Sequence, residues 1–246
     1  DFLNSTNIEQ TFLPKYYSQT ASGAAPKLIS EVDPALRKRH LDVLRNLNVK
    51  YLVSPYPLND PLFKLIDQPL HIIRGQRAQV LIYEFVDAYE RGWFVPEIKT
   101  VTTSTALSSQ MDTSTRSPAE LAYVLDPERK LTSSTFGVGT VAVEKHSLQS
   151  LELSTDNDQD GFLLVSEVFY PAGWSIYMDG ETKLEMFATN ELIRGIPVPA
   201  GQHTLKFVYE PGSVIAGFRI TLLSFLILLG LGGLLIYRSR KSTEQE

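Results

Sequence analysis

The sequence predicts an α+β protein: a small mixed region, then an antiparallel β-sandwich, then one C-terminal transmembrane helix. Three observations carry this. Between residues 34 and 53 apolar residues recur at helical spacing and run straight into a β-branched stretch. From Gly139 the apolar period falls to two, with turn residues between short runs. The chain then carries the run VIAGFRITLLSFLILLGLGGLLIY over 214–237. The expected division is an extracytoplasmic α+β region over 1–135, a membrane-proximal sandwich over 136–211, a transmembrane helix over 214–237 and a cytoplasmic tail over 238–246.

Residues 1–30 are polar, rich in Ser, Thr, Gln and Ala, and show no period; they read as loop or irregular helix. Asp33-Pro34 supplies an N-cap and a proline at the first helical position. Leu36, His40, Val43, Leu44 and Leu47 then mark one helix face, and 49–53 (VKYLV) is a strand stopped by Ser54-Pro55. The prolines over 56–69 indicate a loop. His71-Ile72-Ile73 and Val80-Leu81-Ile82-Tyr83 read as two strands around a turn at Arg74-Gly75. Trp93-Phe94-Val95 and 98–102 suggest one strand interrupted at Pro96. Two short helices are expected next, the second opened by a capping box of Ser117, Pro118 and Glu120.

Seven strands are expected beyond Gly139, over 141–145, 148–154, 162–169, 174–178, 183–187, 192–198 and 203–209. Asp-Gly at 160–161 and 179–180 and Pro-Ala-Gly at 171–173 and 199–201 supply the turns. Such spacing without helices between the strands indicates a sandwich. Its last strand leads through Glu210-Pro211-Gly212 into the apolar run, which places the sandwich close to the bilayer surface.

From Ile220 to Tyr237 no side chain is charged. As a helix these residues span roughly 27 Å, near the ~30 Å hydrocarbon core of a bilayer. Arg219 stands one turn inside, where it snorkels to the headgroups. Arg238, Arg240 and Lys241 follow the run at once and mark the cytoplasmic side. The chain opens DFLNSTNIEQTFLPKYY, with neither a basic nor an apolar leader region. The expectation is a removed signal peptide or further membrane spans upstream.

The net charge is −5; four cations and two acids lie from Arg219 onward, which leaves −7 for residues 1–218. An acidic region of this kind is a poor nucleic-acid binder. The absence of cysteine excludes disulfides, cysteine–zinc sites and thiol nucleophiles. Residues 156–167 (DNDQDGFLLVSE) fit a calcium loop, with Asp156, Asp158 and Asp160 at positions 1, 3 and 5, Gly161 at 6 and Glu167 at 12. Strand-like flanks make a polar hairpin loop the first reading and calcium binding the lower-ranked alternative. His40, His71, His146 and His203 lack metal-ligand spacing, and no pattern singles out a catalytic residue or a cofactor site. Tyr170, Trp174 and Tyr177 read first as sandwich core, with sugar stacking as the alternative.

The runs FLLVSEVFYPAGWSIYMDG (162–180) and ATNELIRGIPVPAGQHTLKFVYEP (188–211), followed by a membrane helix, resemble the C-terminal end of the bacterial YfhO family of multi-pass membrane proteins. NVKYLVSPYPLNDP (48–61) and GWFVPEIKTV (92–101) are similar to the same family, so the resemblance covers most of 33–237. Its motif residues here are Tyr170, Trp174, Asp179, Gly180, Arg194 and His203; Ala172 lengthens the first turn by one residue. The resemblance implies a membrane glycosyltransferase that uses a lipid-linked sugar donor and modifies cell-envelope polymers. It also implies an upstream multi-pass domain holding the catalytic acid, so no catalytic residue carries over to this chain. The expected partners are membrane lipid, that upstream domain and an envelope glycan. The alternatives are a single-pass sandwich that binds a glycan or a protein and, last, a calcium-dependent adhesion module.

Overall fold

Helix α1 (Pro34–Asn46) ends where the helical spacing predicts, and its stop signal is an asparagine. Asn48 takes φ +51°; its N–H donates to Arg45 O at 3.0 Å and that of Val49 to Leu44 O at 2.9 Å. This is a Schellman closure with Asn in the left-handed position. The computed structural model describes residues 34–54, 57–73 and 76–243. The expected N-cap at Asp33, the reading of residues 1–30 and the turn at Arg74-Gly75 lie outside them.

A small lobe follows α1. Strands β1 (Tyr51–Ser54), β2 (Phe63–Asp67) and β5 (Leu81–Phe85) form an antiparallel sheet in the order β1-β5-β2, while β3 (Leu70–Ile73) pairs with β4 (Gln76–Gln79). The expected pairing of residues 71–73 with 80–83 is therefore not the one found. Phe85 is buried and stacks on Phe63 at 5.2 Å between ring centres, which seats β5 beside β2 instead. That second strand lies within the stretch read as a proline loop.

The sandwich has a six-stranded and a five-stranded sheet. The first takes β6 (Gly92–Val95), β7 (Ile98–Val101), β8 (Ala122–Leu125), β11 (Gly161–Val168), β14 (Phe187–Thr189) and β15 (Ile193–Val198), in the order β6-β11-β15-β14-β8-β7. The second takes β9 (Gly139–His146), β10 (Ser150–Asn157), β12 (Trp174–Met178), β13 (Thr182–Leu184) and β16 (Gly201–Tyr209), in the order β13-β12-β16-β10-β9. The sandwich thus draws strands from both sides of residue 136.

Only Pro96 and Glu97 separate β6 from β7, yet the two strands occupy opposite edges of the six-stranded sheet. Three Cα steps reach at most ~11 Å, whereas the edges of a flat sheet of six strands would stand ~24 Å apart. The sheet therefore curls until its edges meet at Pro96. Val95, Ile98, Ala122, Val124, Phe162, Leu164, Phe187 and Ile193, from all six strands, fill the inside of the curl. Leu163, Val165, Ile196 and Val198 face the other way and meet Leu151, Leu153, Ile176, Leu205 and Phe207 of the five-stranded sheet.

The expected strand over 183–187 is split into β13 and β14 because Glu185 and Met186 carry the chain from one sheet to the other. Strands β7 and β8 are parallel, and helix α2 (Ser104–Thr113), capped by Thr103, makes the crossover. Leu107 packs with Val101, Leu121 and Tyr123 on the outer side of that pair. The second short helix is a single turn. Ser117 N–H donates to Glu120 Oε2 at 2.9 Å, half of a capping box, and the next residues are taken up by β8.

After β16 the chain enters helix α3 (Gly212–Thr243). Its Gly212–Gly233 part is long and apolar enough to cross a membrane and has no buried residue. Thr221 and Ser224 donate to the carbonyls of Gly217 and Ile220, both at 2.9 Å, which satisfies their hydroxyls within the helix.

Candidate functional site

Strand registers sort the motif residues to two ends of the sandwich. Trp174 pairs with Tyr209, Val168 with Ile193, and Ser150 with Val208. The starts of β10, β12 and β15 and the ends of β11 and β16 therefore share the end from which α3 leaves. Tyr170, Trp174 and Arg194 belong there. Asp179, Gly180 and His203 stand at the opposite end, ~16 Å away along the five residues of β12.

At the helix-bearing end, the Trp174 and Tyr209 rings stand 5.3 Å apart. Glu210 N–H donates to Gly173 O at 2.7 Å. A Cβ on Gly173 would fall inside the Tyr209 ring, so the turn before Trp174 needs glycine for close approach. Arg194 shares the parity of Ile196 and Val198 and points into the inter-sheet core, where it is 2 % exposed. Its Nε donates to Val168 O at 3.0 Å, and its guanidinium lies over Trp174. Its Nη1 is buried without a hydrogen-bond partner. Burial pushes the Arg194 pKa down, and the Glu167 carboxylate opposes that shift. Glu167 is itself paired with Arg91 and lies 3.8 Å from His146.

At the far end, Asp179 and Gly180 take φ +54° and +83° in the turn between β12 and β13. Asp179 accepts from Thr204 N–H at 2.8 Å, and its other oxygen lies 2.7 Å from His203 Nδ1. His203 Nε2 faces the Ala200 carbonyl at 3.3 Å. Both ring nitrogens thus meet acceptors, and only an imidazolium donates to both. The His203 pKa is accordingly raised, chiefly by Asp179. The pair borders an open polar groove of about 430 Å³ with Thr140, Ser154, Asp156 and Gln202.

The residues of the calcium pattern are not brought together. Asp156, Asp158 and Asp160 lie at the far end, whereas Glu167 sits near the other end of β11. Six residues along a strand place it ~20 Å from Gly161. Among the described residues no group of three or more His, Asp or Glu side chains is arranged to hold a metal ion. Of the membrane-flanking cations, Arg219 lies in the second turn of α3 and Arg238, Arg240 and Lys241 in its last turns.

Arg194 and His203, named already as motif residues, share the parity of their strands' core residues, so alternation also gives the side of the sheet on which they lie. Arg91, which pairs with Glu167, and Gln202, which borders the groove, carried no local signal. Together these features define a class: a β-sandwich bearing one apolar helix able to cross a membrane. No family model, characterised protein or solved structure matches the chain.

Proposed function

We propose that this chain is the extracytoplasmic, membrane-proximal region of a YfhO-like membrane protein. It assists glycosyl transfer to cell-envelope polymers by covering a membrane catalytic domain or positioning the acceptor. One observation supports the membrane-proximal part of the reading: β16 passes into α3 through only Glu210 and Pro211, and α3 leaves its apolar surface unburied. The YfhO-like part rests on the sequence resemblance alone, chiefly that of residues 162–180 and 188–211. An isolated helix with that surface needs lipid around it. Arg238, Arg240 and Lys241 assign its C-terminal side to the cytoplasm and the sandwich to the outside. On this reading the lipid-linked sugar donor and the catalytic acid belong to the upstream membrane domain. The test is to delete residues 34–209 from the gene in its own cell while keeping the spans. The sugar content of the envelope polymers falls; unchanged content with normal membrane insertion would overturn the proposal.

A second reading, a single-pass sandwich that binds a glycan or a protein, is favoured by the polar groove around Asp156, Asp179 and His203. It predicts that purified envelope glycan binds the chain and that D156A with Q202A abolishes the binding.

A further inference from the structure

The two ends of the sandwich differ in what their loops expose. At the far end the connections are Asp158-Gln159-Asp160, Asp179-Gly180-Glu181 and Pro199-Ala200, with Val138 the large apolar side chain exposed there. At the helix-bearing end Leu148 is 97 % exposed, Val168 62 %, Tyr170 53 % and Leu192 47 %. Scattered exposed apolar residues need no explanation; four on one end face do.

Hydrogen bonds tie the Leu148 loop to the root of α3 and the Tyr170 and Leu192 loops to each other. Gln149, beside Leu148, accepts from Tyr209 N–H at 2.9 Å, and Phe169, beside Tyr170, donates to Leu192 O at 2.7 Å. The Leu148 turn is otherwise polar. Ser147 Oγ accepts from the N–H groups of Gln149 and Ser150 at 3.3 and 3.0 Å. That closure fixes the tip with its leucine outward, although Ser or Asn would serve such a turn equally well.

The distance to lipid is short. From Tyr209 to Gly212 the chain reaches at most ~11 Å, and the headgroup layer of one leaflet is roughly 5–8 Å thick. When α3 sits in a bilayer, this end face meets the interface. Trp174 and Tyr209, partly exposed beneath these tips, are the residue types that favour that depth.

We propose that the helix-bearing end of the sandwich is an interfacial docking face: Leu148, Tyr170 and Leu192 seat in the headgroup layer of the leaflet that α3 enters. The sandwich then stands upright on the bilayer instead of swinging on a tether, with its polar groove turned outward. This rests on the reading of α3 as a membrane span.

The absence of cysteine makes the test clean. The full chain is placed in vesicles of phosphatidylcholine and phosphatidylglycerol in equal parts, with one environment-sensitive fluorophore on L148C, Y170C, L192C, Q159C or S224C. Lipids spin-labelled near the headgroup or deep in the acyl chain serve as quenchers. The docking face predicts blue-shifted emission and loss of most of it to the shallow quencher at 148, 170 and 192. It predicts deep quenching at 224 and water-like emission at 159. Water-like emission at 148, 170 and 192 with deep quenching at 224 would overturn the docking face and leave the anchor standing. No quenching at 224 would overturn the anchor, and the docking face with it. Shallow quenching at 159 as well would mean a sandwich lying on its side, which also overturns the proposal.

Discussion

The Arg194 guanidinium lies 4.5 Å from the centre of the Trp174 ring, inside the core between the two sheets. The same group is 5.9 Å from Phe207, donates one hydrogen bond to Val168 O and leaves Nη1 without a partner. A buried cation with so few polar partners is held by its ring contacts and its packing. Desolvation cost works against it.

Stability measurements separate these effects. R194A should lose ~2–4 kcal/mol by urea unfolding, because the aliphatic stem and its contacts go with the charge. R194M keeps the volume and drops the desolvation cost, so it should stay within ~1 kcal/mol of the parent. A double-mutant cycle of R194M and W174L should show a coupling of ~1–2 kcal/mol. Zero coupling would mean that the stacking adds nothing.

The Asp179–His203 pair predicts a pH window. The His203 pKa is raised, mainly by Asp179. Its contribution is complete below the unfolded value of ~6.5 and fades as pH rises through the raised folded value. The Asp179 pKa is lowered, first by the Thr204 N–H and then by His203. Its contribution is present above ~4 and fades as pH falls through the lowered folded value. Both act in full from about pH 4 to about 6.5. Thermal scans should therefore show H203Q losing less stability than the parent as pH rises above that window. Equal slopes would contradict this.

Asn190 joins helix α1 to the sandwich. It is buried with φ +46°. Its Oδ1 accepts from Tyr123 N–H at 2.9 Å and its Nδ2 donates to Asn46 Oδ1 at 3.0 Å. N190A leaves those groups unpaired and places alanine in a left-handed conformation, at a cost of ~2–3 kcal/mol. N190G removes only the backbone penalty and should recover about 1 kcal/mol. Limited proteolysis should cut within 34–90 faster in both variants.

What was legible in the sequence follows the range of the forces. Strands β10 and β16 announce themselves because alternation is a local consequence of one buried face; β11 and β15 are buried on both faces and show instead as short apolar runs bounded by turn residues. The apolar run of α3 is equally local. The closure of the six-stranded sheet is not: Val95 pairs with Phe162, far along the chain, and nothing near Pro96 names that partner. The parallel pairing of β7 with β8 is hidden for the same reason. Arg194 was visible as a motif residue, but nothing in the motif places it in the core. Only the parity it shares with Ile196 and Val198 points inward. At 156–167 the strand period on both sides of the loop outranked the calcium pattern, and that same period carries Glu167 to the other end of β11.

In the proposed arrangement α3 holds the sandwich outside a membrane with the C-terminal tail inside. Single-cysteine chains Q159C and S242C, labelled in intact cells with a membrane-impermeant maleimide, test it most directly. With the sandwich outside, Q159C is labelled in intact cells and S242C only after the membrane is permeabilised. Labelling of S242C in intact cells with Q159C protected would contradict it.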